Sequence, residues 1–256
     1  DHAAPTREQC TAAERRRLDT FIDTATRKRK RYQQEPSDYY YPGLPAIEFY
    51  EREEFPWLPG FEAATPAIQN ELGAVLEADE QGFAPYIQYE EHMPLEQWRE
   101  LNKSPRWSAF HFYRLAEPIA ERCQRAPATM AALRQLPQAQ VDKRSPTAMF
   151  SVLKPRTRIP PHTGVANFRL VAHLPLVLPD QCGFRVGSQT REWRIGEGWV
   201  FDDTIEHEAW NDSDQTRIIF ICDVWSPRLS EPERAAIRAV ISATDAFNGT
   251  VPPAHI

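Results

Sequence analysis

From Ala148 onward the sequence breaks into short runs of β-branched, Leu and aromatic residues, separated by Pro, Gly or Asp. The runs are Ala148–Lys154, Asn167–Leu178, Gly183–Val186, Glu192–Ile195, Trp199–Phe201, Glu206–Asn211 and Arg217–Val224. No helical pattern alternates with them, which argues against parallel β/α units. Strands this short and this closely spaced point to a sandwich or jelly roll.

The flanking segments read differently. Thr6 to Gln34 is charged and helix-favouring, with a thin apolar stripe of Leu18, Phe21 and Ile22. Phe61 to Ala78 places Ile68, Leu72, Val75 and Leu76 at helical spacing, and Ala116 to Leu136 returns to that spacing. Pro105 to Tyr113 alternates partly, as a strand does. The aromatic and proline-rich stretch Tyr39 to Pro45 has no period and should lie extended over the main domain, its rings covering apolar area. After Ser226-Pro227 a closing helix is expected over Glu231–Thr244, with Ser230 as its N-cap. The expectation is a mainly β fold with flanking helices. Residues 1–38 form a helical lead-in and residues 39–256 the main domain.

Composition narrows the function. The chain has 256 residues, 41% hydrophobic and 26% charged, with a net charge of −6, so nothing suggests a nucleic-acid partner held by its phosphates. The basic run Arg27–Arg31 reads as a solvated helix face. Cys10, Cys123, Cys182 and Cys222 form no CxxC pair and no zinc-ribbon spacing, which predicts free thiols and a reducing compartment. No run of 18 apolar residues is present, so no membrane span is expected, and no secretory leader is read. Together these readings predict a cytoplasmic protein.

Two histidines carry the chemistry. His162 follows Pro160-Pro161 and precedes Thr163-Gly164, in a turn at the mouth of a strand. His207 lies in the segment Asp202–Trp210, near another strand mouth. In a jelly roll two such positions can face each other across the open end, and neutral imidazole is a good ligand for Fe(II). The usual facial triad adds a carboxylate two residues after the first histidine, but Gly164 stands there. Asp202, Asp203, Glu206 and Glu208 crowd His207 without the standard offset.

Strand periodicity puts Arg217, Ile219, Ile221 and Asp223 on one face. A guanidinium at the mouth can clasp the far carboxylate of 2-oxoglutarate, and Ser151 could add a hydroxyl donor. Arg169, Val171 and His173 share a face too; if it lines the cavity, Arg169 and His173 can meet the oxo acid or polar groups of the substrate. The plainer alternatives pair Arg217 with a nearby acid and make His173 a hydrogen-bonded core residue.

Ser151 to Trp225 resembles the catalytic domain of the aspartyl/asparaginyl β-hydroxylase family of Fe(II)/2-oxoglutarate oxygenases. The likeness is carried by His162-Thr163-Gly164, Arg169, His173, Phe201-Asp202-Asp203, Glu206-His207-Glu208, Trp210, Arg217, Ile219-Phe220-Ile221 and Asp223-Val224-Trp225. Weaker likeness reaches upstream through Trp107-Ser108, Arg122-Cys123 and Ala126-Pro127 to Tyr41-Pro42-Gly43-Leu44. The resemblance implies a double-stranded β-helix (jelly roll, cupin-like). It implies iron held by His162 and His207 alone, 2-oxoglutarate gripped by Arg217 and Ser151, His173 near the oxo acid, and O2 as oxidant. The implied reaction is hydroxylation of an unactivated C–H bond, of the Asp/Asn type in a peptide or protein. Alternatives are hydroxylation of a small molecule or lipid acyl chain, or a non-catalytic jelly-roll binding module. Two positions depart from the resemblance. Val171 stands where the animal enzyme has an arginine that meets the acidic substrate, and Met130 replaces the partner of a cysteine matching Cys123.

Overall fold

The computed structural model describes residues 8–78, 82–90 and 92–249. Two antiparallel sheets form its centre. The larger is ordered β1 (Ala84–Pro85), β2 (Trp107–Arg114), β4 (Ala148–Leu153), β11 (Arg217–Trp225), β6 (Arg169–Val177) and β9 (Trp199–Phe201), with β3 (Glu117–Pro118) beside β2. The smaller is ordered β5 (Thr157–His162), β10 (His207–Asn211), β7 (Cys182–Val186) and β8 (Gln189–Arg191). This arrangement is a double-stranded β-helix, as the resemblance implied, and falls within the sandwich or jelly-roll class expected from the strand spacing.

The two-residue period of β11 divides the interior. Ile218, Phe220, Cys222 and Val224 are buried with Phe110, Phe112, Phe150 and Leu174 against helices α2 (Leu58–Ala63), α3 (Thr65–Ala78) and α5 (Pro127–Leu133). Leu58, Phe61, Ile68, Leu72, Val75, Met130 and Leu133 complete that layer. Phe112 meets Phe150 edge-on with centroids 4.9 Å apart, and Phe150 meets Phe220 at 5.7 Å. Such pairs contribute about 0.5–1.5 kcal/mol each beyond the area they bury. On the other face, Ile219 joins Val171, Phe184, Val186, Phe201 and Ala209 between the two sheets. That second layer is where polar side chains gather at one end.

The helices and loops fasten the outside. Helix α1 (Ala12–Ala25) begins with a capping box of Thr11 and Glu14. The closing helix, α6 (Glu231–Asn248), does the same with Ser230 and Glu233, and ends at Gly249 in the left-handed region (φ 65°). Its Ile237 and Ile241 pack with Phe168 and Trp225. Tyr39 and Tyr41 lie against the same cluster, whereas Tyr40 stays exposed. The chain from Gln34 to Tyr41 straps two loops together. The Glu35 amide donates to Thr204, the Ser37 amide to Gly164, and Gln34 joins Asp202 (2.6 Å) to Asn167 (3.0 Å).

Several expectations need correction. The first helix covers Ala12–Ala25; Thr6 and Arg7 lie outside the described residues, and the chain beyond Thr26 is not helical. Thr65 and Pro66 start a new helix, so Leu58–Ala78 is two helices. Ala116–Leu136 is broken by Pro118 and Pro127 into β3, α4 (Ala120–Gln124) and α5. Glu192–Ile195 is not a strand, because the chain pairs one step earlier at Gln189–Arg191. His162 ends a strand, β5, rather than occupying a turn. Cys123, Cys182 and Cys222 are free thiols, as expected.

Phe150→Ala removes a ring that is fully buried among Phe110, Phe112 and Phe220. The expected loss is about 3–5 kcal/mol of stability, read as a lower urea midpoint with an unchanged slope.

Candidate active site

Register brings the two histidines together. In the antiparallel pair β5–β10, His207 and His162 are direct partners, and their ring centroids lie 4.0 Å apart. Each ring is oriented by its own chain. His162 Nδ1 lies 2.8 Å from the Pro160 carbonyl and His207 Nδ1 lies 3.1 Å from the Ile205 carbonyl. A carbonyl oxygen only accepts, so each imidazole donates from Nδ1 and keeps the lone pair on Nε2. Burial, then the neighbouring His207, pushes the His162 pKa down to about 3, and burial pushes that of His207 down to about 4. Both rings are therefore neutral at physiological pH, the form that binds metals. Trp98 stands edge-on to His162 at 5.1 Å and Phe201 to His207 at 5.5 Å, walling the pair.

Gly164 explains the missing third ligand. A Cβ at this position would lie 2.0 Å from Asp203 Oδ2, so any side chain here collides with a carboxylate. Asp203 is held in place by Arg169 Nη2 at 2.9 Å, and Arg169 Nη1 bonds Asp223 at 3.1 Å. The other oxygen of Asp223 accepts from the Thr147 amide (2.7 Å). Burial alone would lower the Arg169 pKa, but Asp203 and Asp223 hold it above its ordinary value. Asp203 Oδ1 is buried without a partner. Among the described residues no group of three or more His, Cys, Asp or Glu is arranged to hold a metal. The donor set thus fits a divalent metal taking two imidazoles, with its remaining positions left to small molecules. The other acids near His207 are engaged elsewhere: Glu206 and Glu208 bond Arg185, and Asp202 bonds Thr204 and Gln34.

Arg217 projects from β11 into the same cavity. It is 1% exposed, yet no ion pair to it is found among the described residues. Among the described residues it makes one hydrogen bond, from Nη2 to Ser151 Oγ at 3.4 Å, and Nε has no partner; the guanidinium lies 5.2 Å from the Trp193 ring. Burial lowers its pKa to about 10, so it remains charged at pH 7. A buried charge without a counter-ion costs several kcal/mol, which an incoming carboxylate offsets. The pairing of Arg217 with a nearby acid is therefore not what the fold builds. Trp107 Nε1 also donates to Ser151 Oγ (3.2 Å), fixing the hydroxyl beside the guanidinium. His173 is buried with Nδ1 unpartnered, so it is not a hydrogen-bonded core histidine at that atom. Burial, then Arg217 and His207, holds it well below the usual histidine pKa.

Ser151, His162, Arg169, His173, His207 and Arg217 all line one cavity of about 210 Å³. All six residues expected from the sequence thus converge. Arg169 differs from the rest in having both terminal nitrogens committed to carboxylates. The sequence reading assigned no role to Asp203, Trp107 or Trp193. The signal for Asp203 was its crowding near His207, without an offset that marks a ligand.

A family model described as Aspartyl/Asparaginyl beta-hydroxylase matches residues 62–227. The aspartyl/asparaginyl beta-hydroxylase of Homo sapiens is 36% identical over 135 residues, covering 52% of this chain and 18% of that protein. The ornithine lipid ester-linked acyl 2-hydroxylase of Rhizobium tropici is 32% identical over 188 residues, covering 72% of this chain and 62% of that protein. The chain therefore spans less than two thirds of either relative. The Cnp3 cupin domain of Schizosaccharomyces pombe superimposes on 44% of this chain and 69% of its own at a TM-score of 0.29 and 7% identity, so the fold is assigned from the strand pairing above. The family match covers α3 to α5, both sheets and the six cavity residues Ser151, His162, Arg169, His173, His207 and Arg217, and this chain belongs to the aspartyl/asparaginyl beta-hydroxylase family.

Proposed function

We propose that this chain is an Fe(II)- and 2-oxoglutarate-dependent dioxygenase that hydroxylates an unactivated C–H bond. The balance is substrate C–H plus O2 plus 2-oxoglutarate, giving substrate C–OH, succinate and CO2. One observation carries the reading: two neutral imidazoles 4.0 Å apart share a cavity with a buried guanidinium that has no counter-ion. Iron bound by His162 and His207 would supply the oxidising chemistry that no side chain here possesses.

The chain's own residues position and protect. Arg217 binds the distal carboxylate of 2-oxoglutarate, aided by the Ser151 hydroxyl. The free Nδ1 of His173 faces the remaining polar need in that cavity and hydrogen-bonds the oxo acid. Trp98, Trp107, Phe184 and Phe201 surround the histidines and Arg217 with apolar rings, excluding water from the reacting atoms. A carboxylate at position 164 could not reach the metal without displacing Asp203, because the two side chains would overlap in space.

The relatives' names point to two kinds of substrate, an aspartyl or asparaginyl residue and a lipid acyl chain. Asp/Asn-type hydroxylation of a peptide or protein calls for a cation at the acidic side chain. Arg169 is bound by two carboxylates and Val171 is apolar, which favours the second reading, an uncharged C–H on a small molecule or acyl chain.

Two outcomes are expected. Arg217→Ala raises the 2-oxoglutarate concentration needed for half-maximal succinate formation by at least tenfold, with iron affinity by calorimetry changed less than threefold. Gly164→Asp, which inserts the carboxylate that the facial triad usually holds, lowers iron affinity rather than raising it, because its Cβ displaces Asp203. Tighter iron binding in that variant contradicts the account.

A further inference from the structure

The cavity continues outward from the histidines along β2. Trp107, beside Ser151, stacks on Tyr86 at 4.2 Å, and Tyr86 lies parallel to His111 at 6.1 Å. Met149, Val171 and Ile221 line the same space, so the route from the reacting centre is apolar and aromatic. The trio Arg169, Asp203 and Asp223 is a net anion when both carboxylates are ionised, and it repels an acidic group at this depth. The outer end differs. Arg114 closes β2, is exposed, lines the cavity, and forms no ion pair found among the described residues. The turn after it places Leu115 and Ala116 at positive φ (53° and 68°), and the Ala116 amide donates to the Pro146 carbonyl at 3.2 Å. That bond fixes the turn against the loop forming the opposite lip, which includes Ser145 and Thr147. Arg122 donates to the His111 carbonyl and lies 4.6 Å from the Phe110 ring, on the helix side of β2 and outside the cavity lining. Across the mouth, Asp38 stands near Arg144, which itself binds Asp245. Glu117 lies opposite Arg114 across the β2–β3 pair and Asp38 marks the far side; among the described residues neither forms an ion pair with Arg114, which leaves its guanidinium open at the entrance.

We propose that Arg114 recognises an anionic group of the substrate, while the wall formed by Tyr86, Trp107, Met149, Val171 and Ile221 takes an uncharged apolar segment that carries the reacting C–H bond. The inference rests on the hydroxylase reading above and names the substrate class for it: a chain with a carboxylate or phosphate at its outer end. An unpaired guanidinium at the rim attracts such a group and orients the chain, apolar end inward. An acidic side chain presented directly to the reacting centre finds no open cation, because Arg169 is held by Asp203 and Asp223 and Arg217 is taken by 2-oxoglutarate.

The test is anaerobic calorimetric titration of the full chain saturated with 2-oxoglutarate, with and without iron, so that Arg217 is already occupied. The probes are decanoate, decyl phosphate, 1-decanol and decyltrimethylammonium, each below its micelle concentration. Decanoate or decyl phosphate, or both, should bind at least tenfold tighter than 1-decanol, and decyltrimethylammonium weakest. The relative strength of the two anions tells carboxylate from phosphate recognition. Arg114→Gln should bring the anions to the level of 1-decanol, whose own affinity stays within twofold. Val171→Arg should weaken 1-decanol by a charge placed in its path. Equal affinity for all four probes, no binding of either anion, or a preference for anions that survives in Arg114→Gln overturns the proposal. These preferences are read without turnover. Failure of the protein to bind iron and 2-oxoglutarate would sink the hydroxylase reading separately.

Discussion

The strand pair β5–β10 is the contact on which the site depends. Directly opposed residues on antiparallel strands hold their Cβ atoms about 4.5–5.5 Å apart, so the His162–His207 register presents two imidazoles to one point without help from any loop. Backbone carbonyls at Pro160 and Ile205 then choose the tautomer. The same two-residue offset at both histidines gives the pair matching orientation, with Nε2 of each left unprotonated. Neutrality follows from burial rather than from a partner, since charging either ring would leave a cation in an apolar wall.

Two arginines in one cavity show opposite solutions to burial. Arg169 is satisfied by Asp203 and Asp223 and ties the loop that carries Asp203 to strand β11. Arg217 is left with one long hydrogen bond and an aromatic face, although it is the more buried of the two. A chain selected for stability alone would pair or remove such a charge. Its retention without a counter-ion makes the fold incomplete until an anion binds, which links the stability of the site to its occupancy. The strap from Gln34 to Tyr41 supports both loops at the mouth, joining Asp202 on one to Asn167 on the other. In this way the segment ahead of the sheets takes part in the geometry of the site.

Much of this was legible in the sequence, for identifiable reasons. The alternation in Arg217–Val224 separated Arg217 and Asp223 from Phe220 and Cys222, and the structure keeps that division because each face packs a different layer. The shared face of Arg169, Val171 and His173 followed from the same period, whereas the place of Ser151 beside Arg217 was implied by the resemblance. Strand β5 was not legible, since Pro160-Pro161 argues against a ladder. It is accommodated because β5 is an edge strand and the prolines fall where the register slips between His207 and Ala209. The split of Ala116–Leu136 was hidden by apolar spacing that overrode the prolines. Asp203 could not be assigned because its role depends on the absence of a side chain at Gly164, a distant relation in sequence.

The central claim is that two imidazoles, and no protein carboxylate at position 164, hold the metal. X-ray absorption at the iron edge of the anaerobically loaded protein counts those imidazoles directly through their multiple-scattering signal. The account predicts two histidine nitrogens with oxygen donors in the remaining positions, falling to one in His162→Ala or His207→Ala. A spectrum with no imidazole scattering, or one unchanged by both substitutions, would contradict it.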